Sequence, residues 1–569
     1  MCESHFILTQ WGKEIKGRKS TRKNAGMLIP GTDPPGLVRA FAPPPGAFQF
    51  PQCDILLRPR PGIIYNLHDC PHRAAQGGTR GMSDIEKKLE AFLNEFEREG
   101  YETGAGLKED ADFTSIYERH SGLFTPETAA AAREDVPAAN GRDTLAAFIT
   151  VNIIDNALKE PMDELLTSEL KTLITVQGKE VPFRQAQVLI SNEPDPAARR
   201  EIDTLRRAAQ RGLNPMYADL QRRSHLMAMD MGYSDYVNFF QELENLDLTE
   251  LRTHTRKLLK ETEAVYLKLL DSYRTELLPG VAAADLEQCD MAFMRRASHF
   301  DSLFPADAMV SATWKTLGAM GVDAEHNPNI TLDIEHRDNK SPRAFCSPVK
   351  VPDEVYLVIM PHGGADDYNS FMHELGHTLH FAYADPALPV AHRFLGDNSV
   401  TEAHAMTMEY LSYCGPWLAW ALGKSDTSAY LKFMDFFELY MLRRYSAKLH
   451  YEMDLHGGEF SLGECANIYA DTLTRATHVQ YDADDYLRDV DPHFYCARYL
   501  RAWMLRRQII VALEQKFGEK WFAGPDAGRM LRGLWALGQK EDAEAVSARV
   551  GFHTLDMDAI IAHYTDTYA

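Results

Sequence analysis

The chain has 569 residues, of which 45% are hydrophobic and 25% are charged, and its formal net charge is −22. These are the values of a globular protein, so wholesale disorder is excluded, and the length predicts two to four domains or one large enzyme. A surface this acidic repels phosphate, which argues against nucleic acid as the main partner. No apolar run approaches the roughly 20 residues that a membrane span needs.

Cysteine use favours a reducing compartment. The chain has 8 cysteines, and none of them forms a C-x-x-C pair. This density and spacing fit neither a disulfide scaffold nor a thiolate zinc site. We therefore expect a cytoplasmic protein with reduced thiols.

Residues 1–81 differ in composition from the rest of the chain. They hold 11 Lys/Arg against 5 Asp/Glu, a net charge of +6, and 10 of the 29 prolines. Because Pro and Gly interrupt regular elements and no amphipathic face is present, this leader is predicted to be disordered. It lacks the apolar core of a secretory signal, although a transit peptide stays possible. A further hypothesis is that the natural chain starts at Met82.

From residue 82 onward the pattern predicts one helix after another. Ser83 and Glu86 form the capping-box pattern at the start of a helix that Gly100 can close. Further amphipathic helices are predicted over Pro196–Arg211 and over Thr249–Leu277, the latter with Thr249 as N-cap. The clearest strand is Glu354–Met360, bounded by prolines. The sequence thus predicts a mostly α protein with one small sheet beside the chemistry.

The stretch 371–380 carries an H-E-x-x-H motif. His373 and His377 are separated by four residues, so on a helix both imidazoles lie on one face and can bind a single zinc ion. Glu374 lies beside them and can reach a zinc-bound water without being a ligand. The prediction is a catalytic zinc site with one ion per chain, at which Glu374 activates the water.

A catalytic zinc site needs a third protein ligand. Glu402, 25 residues after His377, can supply it from a second helix, and Glu409, two turns further on, can accept a hydrogen bond from a ligating imidazole. Asp397 is an alternative third ligand that spacing alone leaves open. The remaining histidines of this region are less suited as ligands: His380 is a neighbour on the same stripe, and His404 faces away from Glu402.

HELGHTLH followed by VTEAHAMTMEYL resembles the thimet oligopeptidase and oligoendopeptidase F family of zinc peptidases. The match is specific over Phe371–Leu411 and weaker over Lys340–Gly364 and Asp491–Trp503. The resemblance implies a large two-lobed helical fold with a deep central channel. The chain is accordingly divided into the basic leader over 1–81, predicted to be disordered or not part of the natural chain, an N-terminal helical region over 82–330 and a zinc-binding catalytic region over 331–569.

Two flanking segments acquire expected roles from the resemblance. The strand before the zinc helix would be an edge strand that pairs with substrate, and Gly363 and Gly364 would admit substrate backbone. His493, Tyr495 and Tyr499 match the late His/Tyr motif whose members stabilise the developing oxyanion. Plain structural roles for the strand and core packing for the tyrosines remain the alternatives.

The expected function is zinc-dependent endopeptidase cleavage of short peptides. One alternative is a zinc carboxypeptidase, which would need a cation for the substrate's terminal carboxylate, with Arg393, Arg498 and Arg501 near the motifs. Another is a non-catalytic relative that binds peptides or zinc, against which the presence of Glu374 argues.

Overall fold

The computed structural model describes residues 82–135, 143–341 and 343–568, all of which fall in one compact unit. This part of the chain forms twenty-one α-helices and five short strands, so the predicted mostly α class is confirmed. The predicted leader, 1–81, lies outside the described residues. None of the described helices combines the length and the apolar character that crossing a membrane requires.

Eleven helices precede the motif region. They are α1 Asp84–Gly104, α2 Phe113–Arg119, α3 Pro126–Asp135, α4 Thr144–Lys171, α5 Ala186–Asn192, α6 Pro196–Asp230, α7 Tyr236–Glu244, α8 Leu248–Glu261, α9 Glu263–Leu277, α10 Gln288–Arg295 and α11 Met309–Ala319.

Ten helices follow, beginning with the one that carries the motif. They are α12 Ala365–Ala382, α13 Val390–Phe394, α14 Asn398–Glu409, α15 Gly415–Leu422, α16 Ser428–His456, α17 Leu462–Thr477, α18 Tyr495–Phe517, α19 Pro525–Trp535, α20 Ala543–Val550 and α21 Asp558–Tyr568.

Capping explains where helices start. The predicted capping box at Ser83 is confirmed, since Ser83 and Glu86 exchange side chain to backbone hydrogen bonds. The single predicted helix over 249–277 is wrong: it is divided into α8 and α9 at Thr262. Asp247, not Thr249, caps α8, because its carboxylate accepts a hydrogen bond from Glu250 N at 2.8 Å.

The strands form two sheets instead of the one predicted. β1 Leu173–Val176 and β2 Lys179–Pro182 form an antiparallel hairpin. β3 Ile330–Asp333, β4 Phe345–Lys350 and β5 Glu354–Val358 form the second sheet, in the order β3-β5-β4. β5 pairs parallel with β3 and antiparallel with β4. The prediction that this strand is an edge strand is wrong, since it is hydrogen-bonded on both sides.

The motif helix lies inside the main hydrophobic core. α12 packs against α14, and α14 packs against α18, with the second half of α12 buried throughout. The same core cluster contains Leu258 from α8 and Leu449 from α16, so apolar residues from both sides of the proposed 330/331 boundary pack into one cluster. The boundary itself stays a prediction.

Candidate metal centre

The two motif histidines lie side by side on α12. His373 is 4% exposed and His377 is fully buried. Their ring centroids are 5.0 Å apart, one helical turn along the same face. Local helix periodicity therefore produces the pair of imidazoles that the sequence predicted.

Glu402 on α14 completes a group of three ligand atoms. Its Oε2 lies 3.4 Å from His373 Nε2 and 3.8 Å from His377 Nε2, and its side chain is fully buried. Donors around a tetrahedral zinc ion, each about 2.0–2.2 Å from it, are about 3.3 Å apart. The structure thus brings the three predicted ligand atoms within 4.8 Å of one another, near the spacing found around such an ion.

Hydrogen bonds with residues outside the group of three ligands orient both imidazoles. His373 Nδ1 lies 2.9 Å from Glu409 Oε2, so the predicted contact is confirmed. His377 Nδ1 lies 2.9 Å from Thr401 Oγ1, a partner that the sequence reasoning missed although it directly precedes Glu402. Because Glu409 as a carboxylate only accepts, His373 Nδ1 carries a proton, and Nε2 is the nitrogen that faces Glu402 and could bind a metal.

Tyr495 orients the third ligand. Its hydroxyl donates to Glu402 Oε1 at 2.8 Å, which leaves Oε2 as the atom that faces the imidazoles. Burial and the Glu402 carboxylate raise the pKa of Tyr495 well above its ordinary value, so the donor proton is retained. Tyr495 was predicted to act on substrate, and the structure instead places its hydroxyl on a candidate ligand.

The electrostatics of the group require positive charge. Burial lowers the pKa of His373, but hydrogen bonds with Glu402 and Glu409 raise it well above its ordinary value. Burial and the positive His373 lower the pKa of His377 well below its ordinary value. Buried carboxylates are costly without a compensating cation. Without an ion the protonated His373 compensates these carboxylates, and a divalent ion between neutral imidazoles and Glu402 would take its place.

The donor atoms also fit zinc chemically. Among the described residues, His373 Nε2 and Glu402 Oε2 are buried atoms without a hydrogen-bond partner of ordinary geometry, although they lie 3.4 Å apart. Two imidazole nitrogens and one carboxylate oxygen are a ligand set typical of catalytic zinc. The residues present therefore fit a zinc ion.

Glu374 lies next to the ligands without joining them. It is 2% exposed, and its Oε2 accepts a hydrogen bond from Cys346 N in β4 at 2.9 Å. Among the described residues, the converging group consists of His373, His377 and Glu402. The sheet beside α12 thus anchors the carboxylate of the residue that directly follows His373.

A cleft with about 1030 Å³ of empty space, part of it open to solvent, borders the group. His373, Glu409 and Tyr499 line it. Burial and the Glu402 carboxylate raise the pKa of Tyr499 well above its ordinary value, so its hydroxyl stays a donor. Its lining also includes the large side chains of Met406, Phe433, Met434, Phe437, Tyr445 and Trp503.

His493 is placed differently from the expectation. Its Nε2 lies 3.2 Å from Asp155 on α4, and its Nδ1 lies 3.4 Å from the Tyr236 hydroxyl on α7. The backbone at His493 has a φ of 57°, a left-handed conformation just before α18. Its ring nitrogens therefore face the N-terminal helices, and it is not among the described residues that line the cleft.

Gly363 and Gly364 pack against the chain itself. The Gly363 N–H donates to Asp367 and the Gly364 N–H donates to Phe304 O, both at 2.8 Å. An added Cβ would lie 2.9 Å from Ala306 N at Gly363 and 2.6 Å from Asp301 Oδ1 at Gly364. The close backbone approach predicted for substrate is therefore made by residues 301–306, and these N–H groups are not available to a substrate.

The rival ligands have other partners. Asp397 caps α14 through Ser399 N and pairs with Arg501 at 2.7 Å. His380 Nε2 lies 3.0 Å from Gly538 O, and the His404 ring is tilted by 52° against that of His380, with their centroids 4.8 Å apart. These side chains support the packing around the centre.

Two other groups of potential ligands occur in the described chain, but cations already lie beside their carboxylates. In the first, Asp203 accepts from Arg206 at 2.7 Å. In the second, Lys448 lies 2.6 Å from Asp491 and 4.0 Å from Glu452. These groups are ion-pair networks, and neither contains an imidazole.

Comparison with known proteins leaves the family open. No family model matches the chain, and no curated protein matches it. The argument for function therefore depends on the geometry of the site.

Proposed function

We propose that this chain hydrolyses peptide bonds in short peptides with one zinc ion held by His373, His377 and Glu402. The observation that carries the proposal is the convergence of their three ligand atoms beside the non-ligating Glu374, at the border of a cleft. A purely structural zinc site has no need of that carboxylate. When bound, zinc polarises a scissile carbonyl and makes water more acidic.

Protein groups then supply proton transfer and charge stabilisation. Glu374, held by the Cys346 N–H, takes the proton of the attacking water and passes it to the leaving amine. The protonated Tyr499 hydroxyl lines the same cleft and can donate to the substrate oxygen that becomes negative. His493 has no part in this scheme, because its ring faces Asp155 and Tyr236.

The variant Glu374→Gln tests the role of the base. It should bind one zinc ion per chain and lose about 10²–10⁴-fold in kcat, because general acid–base catalysis contributes about that factor. Metal analysis and digestion of a mixed peptide library measure the two effects. Turnover at the wild-type rate with zinc bound would refute the assignment.

A carboxypeptidase is the second candidate, but the arginines first considered for it are engaged. Arg393 pairs with Glu90, Arg498 with Glu244 and Arg501 with Asp397. End-blocked peptides separate the two activities, since only an endopeptidase cuts them. We propose endopeptidase cleavage, with digestion of end-blocked peptides as the expected result.

The cytoplasm is the compartment that we propose. The described cysteines Cys289, Cys346, Cys414, Cys465 and Cys496 are all buried and unbonded to one another. Reduced thiols are typical of cytoplasmic proteins.

A further inference from the structure

One turn of the chain leads directly into the candidate metal centre. Pro492–Phe494 precedes α18, and both His493 and Phe494 have a left-handed backbone, with φ of 57° and 49°. This conformation is costly for residues other than glycine and persists only where surrounding contacts impose it. Tyr495, whose hydroxyl donates to Glu402, is the next residue. The contacts that hold this turn therefore set where that hydroxyl lies.

A buried side chain on α16 contacts the chain on both sides of the turn. Glu452 is fully buried, its Oε1 accepts a hydrogen bond from Asp491 N at 2.8 Å, and its Oε2 lies 3.0 Å from Cys496 Sγ. Lys448, also on α16, pairs with Asp491 at 2.6 Å and lies 4.0 Å from Glu452, so a cation is present beside the two acidic groups. Glu452 thus joins both ends of the turn to α16.

Both contacts of Glu452 persist whether or not it carries a proton. Burial raises the pKa of Glu452 to about 8, although Lys448 opposes the shift. As a carboxylate, Oε2 accepts from Cys496 Sγ. As a carboxylic acid, Oε2 can donate to that sulfur while Oε1 still accepts from Asp491 N. Hydrogen bonding is therefore what this side chain supplies to the turn in either form.

The residue that Glu452 contacts on α18 directly follows Tyr495. Adjacent helical residues point about 100° apart around the helix axis, so fixing Cys496 against α16 also fixes the direction of Tyr495. We infer that Glu452 is a positioning residue for the metal centre: it sets the start and the rotation of α18 so that the Tyr495 hydroxyl reaches Glu402. This inference rests on the proposed function, because it concerns the third ligand of the proposed zinc site.

The zinc affinity of the full chain, measured by competition with a chromophoric chelator, tests the inference. Glu452→Met removes both hydrogen bonds and should weaken zinc binding about tenfold, the lower end of the loss that follows mutation of a partner of a metal ligand. Glu452→Gln can still accept from Asp491 N and donate to Cys496 Sγ, so it should retain the wild-type affinity. The control Asp290→Asn alters a fully buried carboxylate paired with Arg199 and should lower Tm without changing zinc affinity.

A double-mutant cycle separates positioning from a general loss of stability. In a Tyr495→Phe background, Glu452→Met should cost no further zinc affinity, since the hydroxyl through which Glu452 acts is absent. Three results would overturn the inference: wild-type affinity in Glu452→Met, the same loss in Glu452→Gln, or an undiminished loss in the Tyr495→Phe background.

Crystals of metal-free Glu452→Met distinguish this inference from the proposed function. The Tyr495 hydroxyl should lie beyond hydrogen-bond distance of Glu402, and a retained bond at 2.8 Å would overturn the inference even if zinc affinity fell. If Glu452→Met does not fold, Cys496→Ala removes one of the two contacts and replaces it in all these measurements.

The two proposals can fail separately. If the zinc affinities follow the prediction while wild-type protein cuts no peptide, the proposed hydrolysis fails and the role of Glu452 stands. If wild-type protein binds no zinc, the proposed function fails, and the position of the Tyr495 hydroxyl in the variant crystals alone decides the role of Glu452.

Discussion

Gly376, between the two motif histidines, allows α12 and α14 to approach closely, and Gly376→Ala should separate them. An added Cβ would lie 2.4 Å from Ala405 Cα and 2.6 Å from His404 O. Since carbon atoms need about 3.5 Å, the helices must move apart by about 1 Å. Glu402 travels with α14, so its distance of 3.4 Å from His373 must increase.

Metal–ligand distances tolerate deviations of only about 0.2 Å. This movement should therefore weaken zinc binding by about 10–100-fold, the same loss that follows mutation of a residue hydrogen-bonded to a metal ligand. Overpacking should also lower the free energy of unfolding by about 1–3 kcal/mol. Competition with a chromophoric chelator and urea titration measure the two effects. Gly533→Ala on α19 is the matched control, because its Cβ meets nothing within 4 Å. If Gly376→Ala retained wild-type zinc affinity, the reasoning would be refuted.

Tyr495→Phe should weaken zinc binding about 10–100-fold, since it removes the 2.8 Å bond to Glu402. The control Tyr469→Phe removes an equally long hydrogen bond to Asp489 and should lower Tm without changing zinc affinity. Competition with a chelator measures the zinc affinity of both variants, and equal affinities in Tyr495→Phe and Tyr469→Phe would contradict the assignment. Burial, aided by nearby arginines, lowers the pKa of His450 from 6.5 to about 3. As the pH falls, the His450 imidazole is therefore protonated in the unfolded state before it is protonated in the folded state. The free energy of unfolding should fall by up to about 3 kcal/mol from pH 6.5 to pH 4. Urea titrations should show a shallower decline in His450→Asn, and an unchanged slope would disprove this.

Local periodicity made the two candidate metal ligands on α12 predictable. His373 and His377 share a face because four residues make one helical turn, and Glu409 lies two turns beyond Glu402 for the same reason. The contacts of Thr401 and of Tyr495 on α18 depend on how separate helices pack, which spacing within one segment does not contain.

Two differences between expectation and structure also arise from contacts between segments that are distant in the sequence. The strand Glu354–Val358 was expected at a sheet edge, although its continuous apolar run is typical of a strand buried on both faces. For His493, nothing in the neighbouring sequence indicates a left-handed backbone that turns the ring toward Asp155.

Anomalous X-ray diffraction at the zinc edge, from crystals grown with zinc, tests the central claim most directly. The account predicts one ion per chain within about 2.0–2.2 Å of His373 Nε2, His377 Nε2 and Glu402 Oε2, with Glu374 not coordinated. An ion bound elsewhere, or Glu402 directed away from the two imidazoles in the presence of zinc, would contradict it.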